Sequence, residues 1–246
     1  MTHTLRINAC SKTDPGLKRP RNEDVCAADI LRRSFMVADG MGGVAGGEEA
    51  SALFKEAVQE TFAAGKEVPE PEVKELVRRA FLLANRKILD HAAVTPAHKG
   101  LGCTAELLTF CRDGLILGHV GDSRTYRLRH GHLDQLTVDH SMVQEQVDLG
   151  IMTREQAKRS SFRNVLTKAV GIEAQLIIDI TSHPACPGDI YLLCTDGLHG
   201  MVDDQEISAI LAFDAPLTLK AEMLINMAND AGGRDNISVT LVEILS

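Results

Sequence analysis

The chain has 246 residues, with 26 Lys and Arg against 34 Asp and Glu, giving a formal net charge of −8 at pH 7. That balance excludes a nucleic-acid partner held by phosphate neutralisation, which needs a basic excess, and with no Trp and 4% aromatic residues there is little from which to build base-stacking platforms. With 44% hydrophobic and 24% charged residues the chain can bury a core and is not disordered.

The opening residues 1–10 lack the apolar stretch of a signal peptide, and no apolar run approaches the roughly 20 residues that cross a bilayer. A cytoplasmic protein that does not enter a membrane is expected. Residues 25–30 and 34–38 read as a β-hairpin turning at Leu31, Arg32 and Arg33. Residues 47–64 repeat apolar side chains at helical spacing until Gly65, and a second amphipathic helix follows Pro69 and Pro71 through Ile88. Residues 103–110, 115–120 and 125–128 are β-type runs joined by Arg112-Asp113-Gly114 and Gly121-Asp122-Ser123, connections so short that the strands must be antiparallel.

From 139 to 171 the chain is more polar and holds two short helical patterns, 141–149 and 153–159, which read as a flap-like insertion at about 142–171. Strands are expected again at 176–180, 190–195 and 237–244, with helices at 204–211 and 217–229. Blocks of strands separated by paired helices predict an α+β domain spanning 1–246, with antiparallel sheets covered by helices. The six cysteines, Cys10, Cys26, Cys103, Cys111, Cys186 and Cys194, form no Cys-x-x-Cys pair and mostly lie in apolar runs, so neither zinc nor a disulfide framework is indicated.

Two apolar strands end alike, at Asp39-Gly40 and at Asp196-Gly197. Asp-Gly is a common turn pair, but Glu23-Asp24 and Asp235-Asn236 also place acids at β edges. Four acidic clusters meeting at one sheet end would repel one another. Hard divalent cations relieve that repulsion, and carboxylate and carbonyl oxygens suit Mg²⁺ or Mn²⁺, so a binuclear site is expected. The stretch Gly40-x-Gly42-x-x-Ala45 also fits a dinucleotide fingerprint. Against it, Asp39 would sit beside the pyrophosphate, a helix follows where a second strand belongs, and no strand-end acid lies about twenty residues on. A Walker loop fails for want of Gly-Lys-Ser/Thr.

Eight motifs run in order along the chain: Thr13-Asp14-x-Gly16-x-x-Arg19-x-x-Asn22-Glu23-Asp24, Val37-Ala38-Asp39-Gly40-Met41-Gly42-Gly43, Gly102-Cys103-Thr104 and Gly121-Asp122-Ser123-Arg124, then Asp139-His140-Ser141, Asn164-Val165-Leu166-Thr167-Lys168-Ala169-Val170-Gly171, Thr195-Asp196-Gly197-Leu198 and Gly233-Arg234-Asp235-Asn236-Ile237-Ser238. In this order they resemble the compact bacterial form of the PPM, or PP2C, metal-dependent protein phosphatases. The resemblance implies a four-layer αββα sandwich with two central antiparallel β-sheets flanked by helices. It also implies hydrolysis of phosphoserine and phosphothreonine in proteins by a water activated at two Mn²⁺ or Mg²⁺ ions, opposing a cognate serine/threonine kinase.

Carried over by position, Asp39 bridges the metals, Glu23 and the Gly40 carbonyl serve one, and Asp196 and Asp235 serve the other. Arg19 binds the substrate phosphate, Asp24 holds a water of the metal centre, and Asp122 with Asp196 holds a weaker third metal. Two departures stand out: Met41 occupies the place where eukaryotic relatives often have His, so the leaving-group proton comes from water, and Gly200 stands where an acid often supports the third metal.

Among the histidines, His140 is expected to cap the helix after it, His130 and His132 to be solvated at a hairpin turn, and His199 to be an exposed loop residue or a substrate contact. The basic residues Arg154, Lys158, Arg159, Arg163 and Lys168 give the flap a role in steering acidic phosphoproteins. A catalytically dead binding scaffold and a dinucleotide-dependent oxidoreductase are the competing readings. The retained set Glu23, Asp39, Asp196 and Asp235 argues against the first, and the fingerprint misfits against the second. No heptad pattern suggests obligate assembly, so a monomer is expected.

Overall fold

The computed structural model describes residues 5–42, 46–64, 68–95, 98, 100–112 and 114–245. Of the features read above, residues 1–4, Gly43 and Ala45 of the glycine-rich loop, the helix stop at Gly65 and the turn residue Asp113 lie outside the described residues.

One sheet takes the order β1 (Ile7–Asp14), β11 (Ile237–Ile244), β10 (Ile190–Cys194), β7 (Arg124–Arg129) and β8 (His132–Gln135). The other runs β2 (Asp24–Asp29), β3 (Ser34–Met41), β5 (Ala105–Cys111), β6 (Gly114–Val120) and β9 (Asp179–His183), with the two-residue β4 (Gly102–Cys103) pairing the end of β3. Every strand pairing is antiparallel.

Strands buried on both faces read as unbroken apolar runs, and their alternate side chains part into different cores. Phe35 and Val37 of β3, with Tyr191 and Leu193 of β10 and Val242 of β11, fill the space between the sheets. Met36 and Ala38 face α1 (Gly47–Thr61) and α2 (Glu70–Val94) together with Phe54, Val77 and Phe81. Leu192, Cys194, Val239 and Leu241 face α6 (Asp204–Ala212) and α7 (Leu217–Asp230) through Ile207, Leu211 and Leu224. Three apolar layers between four layers of structure make the αββα sandwich that the resemblance implied.

The differences from the sequence reading have physical causes. The strands β1 and β8 form the two edges of their sheet, where polar residues face solvent and blur the apolar pattern. The expected strand at 176–180 lies three residues later, as β9, pairing with β6 from His183 to Asp179. The Asp196-Gly197 pair is no simple turn, because it opens a short helix, α5 (Asp196–His199). Between 142 and 171, α3 (Met142–Asp148) and α4 (Arg154–Arg159) form as expected, α4 behind a capping box of Thr153 and Gln156. The cap of α3 is Ser141, which accepts from the Gln144 amide, and not His140. No described helix is long and apolar enough to cross a membrane.

Candidate active site

The acids converge because strand ends from both sheets meet at one edge of the sandwich. Asp24 and Asp39 are register partners across β2 and β3. Asp196 follows β10 and Asp235 precedes β11 in the opposite sheet. A cross-sheet bond ties the two sets together: the Thr195 hydroxyl donates to Asp24 Oδ2 at 2.8 Å and accepts from the Ser238 amide at 3.0 Å.

Glu23 is placed by a residue to which the sequence reading gave no role. Asn236 accepts from the Glu23 amide at 2.8 Å and donates to the carbonyls of Pro15 and Arg21. On the other side the Ser51 hydroxyl of α1 donates to the Glu23 carbonyl at 2.6 Å. The loop bearing Arg19 docks on the segment before β11 through Leu17 N–H to Gly233 O, and the Arg19 guanidinium donates to Asp235 Oδ2 at 2.7 Å. Thr104 aligns Asp39, receiving its amide on the hydroxyl and returning its own amide to the Asp39 carbonyl.

A cavity of about 670 Å³ opens over this edge. Its lining joins Arg19, Glu23, Asp39, Gly40, Asp122, Asp196 and Asp235 to a facing wall that includes Leu166, Lys168 and Ile177. All the expected site residues therefore border one cavity except Asp24, which lies buried just behind it. His199, read above as an exposed or substrate-facing loop residue, sits instead on α5 with Nε2 3.0 Å from the Asp122 carbonyl, to which it donates. Nothing in the one-dimensional pattern marked that contact.

Burial raises the carboxylates, and their mutual repulsion adds to it. Asp24 is pushed up to about 7, Asp122 to about 8 and Asp196 to about 6, while Asp39, facing Asp24, Asp196, Asp122 and Asp235, stands well above the usual range. Among the described residues no three His, Cys, Asp or Glu side chains stand close enough together, as they are placed, to hold a metal ion. One acid of the set, Asp235, is drawn toward Arg19.

Two other observations show that the set fits divalent cations. Oδ1 of Asp24 and Oδ1 of Asp196 are buried without any hydrogen-bond partner, a costly arrangement unless a water or cation is meant to be held there. Gly40 and Gly47 let the backbone close up: a Cβ on Gly47 would stand 2.6 Å from the Gly40 carbonyl oxygen and 2.8 Å from the Glu23 carboxyl carbon, so those two donors lie side by side. Carboxylates plus one carbonyl form the hard donor set that Mn²⁺ and Mg²⁺ prefer.

A pH dependence follows. In the folded protein Asp24, Asp39 and Asp122 hold protons that an unfolded chain, with carboxyls near 4, has released. Stability must then fall as pH rises toward 8. His140 and His199, depressed to about 4 and about 3, oppose this only below about 6.5. Metal-free protein is expected to lose melting temperature from pH 6.5 to 8, and Mn²⁺ to abolish that decline. Parallel pH profiles with and without Mn²⁺ would show that the acids are not forced together.

The sequence pattern of the protein phosphatase 2C family matches residues 19–241. The serine/threonine phosphatase stp of Listeria monocytogenes is 35% identical over 244 residues, covering 96% of each chain. The protein phosphatase PhpP of Streptococcus pneumoniae is 34% identical over 235 residues, covering 94% of this chain and 95% of PhpP. Among solved structures, the Mycobacterium tuberculosis serine/threonine phosphatase PstP/Ppp superposes with a TM-score of 0.92 at 33% identity, over 99% of this chain and 100% of that one. The PstP catalytic domain in complex with two manganese ions superposes at 0.90, with the same identity and coverage.

Proposed function

The chain belongs to the protein phosphatase 2C family and is a metal-dependent protein serine/threonine phosphatase that works on two Mn²⁺ or Mg²⁺ ions; from that premise we propose which of its residues carry the reaction. The observation that carries the assignment is the pair of orphaned oxygens on Asp24 and Asp196, together with the close approach of the Gly40 carbonyl to Glu23 across Gly47. Asp39, Glu23 and the Gly40 carbonyl would hold one ion, Asp39, Asp196 and Asp235 the other, and Asp122 with Asp196 would support a weaker third. When bound, the two ions activate a water for in-line attack on phosphorus and clamp the phosphoryl oxygens.

The residues of the chain do the rest. Asp24, fixed by Thr195 through Oδ2, keeps its Oδ1 free of any hydrogen bond, and that oxygen would hold and orient a water of the centre. Arg19 gives one N–H to Asp235 and makes no other hydrogen bond among the described residues, so the rest of its fork is available to phosphate oxygens. Met41 lines the cavity where it can donate no proton, so the leaving serine or threonine oxygen takes its proton from solvent.

The reading is tested with metal-stripped protein and a phosphothreonine peptide. Turnover is expected only after Mn²⁺ or Mg²⁺ is restored, and equal turnover in chelator would overturn it. Arg19→Ala is expected to lower kcat/KM by about tenfold to a hundredfold, mostly through KM, the worth of a charge-assisted bond to phosphate. An unchanged KM would assign phosphate recognition elsewhere.

The substrates are phosphorylated proteins, and we infer that a cognate serine/threonine kinase supplies them. The whole of 1–246 acts as one catalytic domain, since both sheets contribute acids. Residues 142–171 serve as a flap: α4 buries none of its residues and carries Arg154, Lys158 and Arg159 outward. Reversing charge at Arg159 and Arg163 is expected to slow turnover of acidic phosphopeptides by up to about tenfold at low salt, sparing p-nitrophenyl phosphate. Equal effects on both compounds would end the steering role. Six free thiols support a reducing, cytoplasmic setting, which disulfide mapping of protein from its native source checks. The working unit is a monomer, a statement that a dimer mass in light scattering would reverse.

A further inference from the structure

Beside the acids lies a cluster that the proposed mechanism does not use. Glu106 of β5 and His119 of β6 are buried register partners in direct contact through Oε1 and Nδ1, and Glu106 Oε2 accepts from the Thr125 hydroxyl of the opposing sheet at 2.6 Å. His119 Nε2 donates to the Val138 carbonyl at 2.9 Å. Packed on it is the ring of His140, with centroids 4.5 Å apart.

His140 joins two segments that border the cavity, and the strand β9 beside them. It clasps the turn between β6 and β7 in both directions: its amide donates to Gly121 O at 2.7 Å, and its ring Nδ1 accepts from the Gly121 amide at 3.1 Å. Its carbonyl accepts from the Thr167 amide at 2.9 Å, on the wall facing the acids. Its Nε2 lies 3.2 Å from Asp179 Oδ2 on β9, and the other oxygen of Asp179 faces Lys168 of the same wall at 3.8 Å. The residue after Gly121 is Asp122.

These contacts dictate a single protonation state. An amide can only donate, so Nδ1 must carry a lone pair, and the ring proton sits on Nε2 pointing at Asp179. Burial and the neighbouring His119 and Lys168 keep the ring neutral, as that state requires.

We propose that His140 is a positioning residue of the phosphatase: its Nε2-protonated imidazole fixes the turn that presents Asp122 and ties it to Asp179 of β9, while its backbone carbonyl holds the cavity wall at Thr167. This rests on Asp122 holding the weaker cation. The turn is braced elsewhere by His199 on the Asp122 carbonyl and by the bond between the Thr104 and Ser123 hydroxyls, but neither of these bonds reaches the wall at Thr167 as His140 does.

Two replacements separate the ends of the ring. In His140→Asn the amide oxygen can take the place of Nδ1, and in His140→Gln the side-chain amide can take that of Nε2. Hydrogen exchange of the Gly121 amide and a Mn²⁺ titration followed by the spectrum of free Mn²⁺ are read on both variants, with Asp122→Asn marking the step that needs Asp122. His140→Gln is expected to release the Gly121 amide and weaken the Asp122-dependent step by about tenfold, the usual scale for a group that orients a ligand. His140→Asn is expected to keep both close to wild type.

Equal behaviour of the two variants would overturn the proposal, since loss of packing alone would not discriminate between them. If wild-type protein shows no Asp122-dependent step, the weaker-cation reading fails, and the positioning role is decided by the Gly121 amide alone. Should neither variant fold, ¹⁵N shifts of the wild-type imidazole decide: a proton on Nδ1 overturns the proposal, and one on Nε2 supports it.

Discussion

Asp39→Asn is expected to lower kcat on a phosphothreonine peptide at saturating Mn²⁺ by on the order of 10³-fold or more, about 4 kcal/mol of barrier, while raising the melting temperature of the metal-free protein. The two effects share one origin. Asp39 is buried at the end of β3 against Asp24, Asp196, Asp122 and Asp235, and its carboxylate is held far out of its usual range by lost solvation and by those neighbours. A neutral amide of the same shape removes the repulsion, so the fold gains stability. It also removes the carboxylate proposed to serve both cations, so the transition state loses part of its clamp. Thermal melts in chelator and in Mn²⁺, beside steady-state kinetics, separate this from simple misfolding. The Mn²⁺-induced rise in melting temperature should largely vanish in the variant while the chelator curve moves up. A variant that melts earlier in chelator would mean that Asp39 supports the fold, contrary to its electrostatics.

Gly40→Ala is expected to destabilise the protein by more than about 3 kcal/mol even without metal, at the large end for a single methyl group. A Cβ at this position would lie 2.0 Å from the Gly47 carbonyl oxygen and 2.6 Å from that of Glu23. Both obstacles are backbone, one on the first turn of α1 and the other on the segment entering β2. Neither can swing away as a flexible side chain could. Relief would require α1 to back off β3, opening the apolar layer that Met36, Ala38 and Phe54 share. Urea unfolding in chelator measures the loss, and a change under about 1 kcal/mol would show that α1 tolerates displacement. The same substitution should weaken Mn²⁺ binding, since the Gly40 carbonyl and Glu23 meet in that contact.

The acids were legible because catalytic carboxylates follow strands buried on both faces, and such strands announce themselves as apolar runs: 35–38 before Asp39 and 190–194 before Asp196. Arg19 and Asp122 needed the order of motifs, since each by itself reads as a surface charge or a turn. What the sequence concealed was support. Asn236, Thr195 and Thr104 act through hydrogen bonds to residues up to 221 positions away, and no local periodicity encodes a partner at that separation. His140 and His199 were misplaced for the same reason. His140 read as a helix cap and His199 as a loop residue or substrate contact, and each is fixed by a bond to the turn containing Gly121 and Asp122. The edge strands β1 and β8 were missed where solvent on the outer face dilutes the apolar alternation.

Sheet order has a consequence for synthesis. The strand β11 lies between β1 and β10, so the first strand made waits for the last before either neighbour is complete. Asp235 arrives just ahead of β11 and Asn236, which holds Glu23, immediately after it. A ribosome-bound chain that has reached α7 thus already contains Asp39, Asp196 and a finished β2–β3–β5–β6–β9 sheet, yet lacks the residues that complete its centre. On the proposed role of Asp235, hydrolytic power switches on with the closing strand, and chains truncated before Asp235 are expected to show no phosphatase activity, which a truncation series assayed on a phosphothreonine peptide checks.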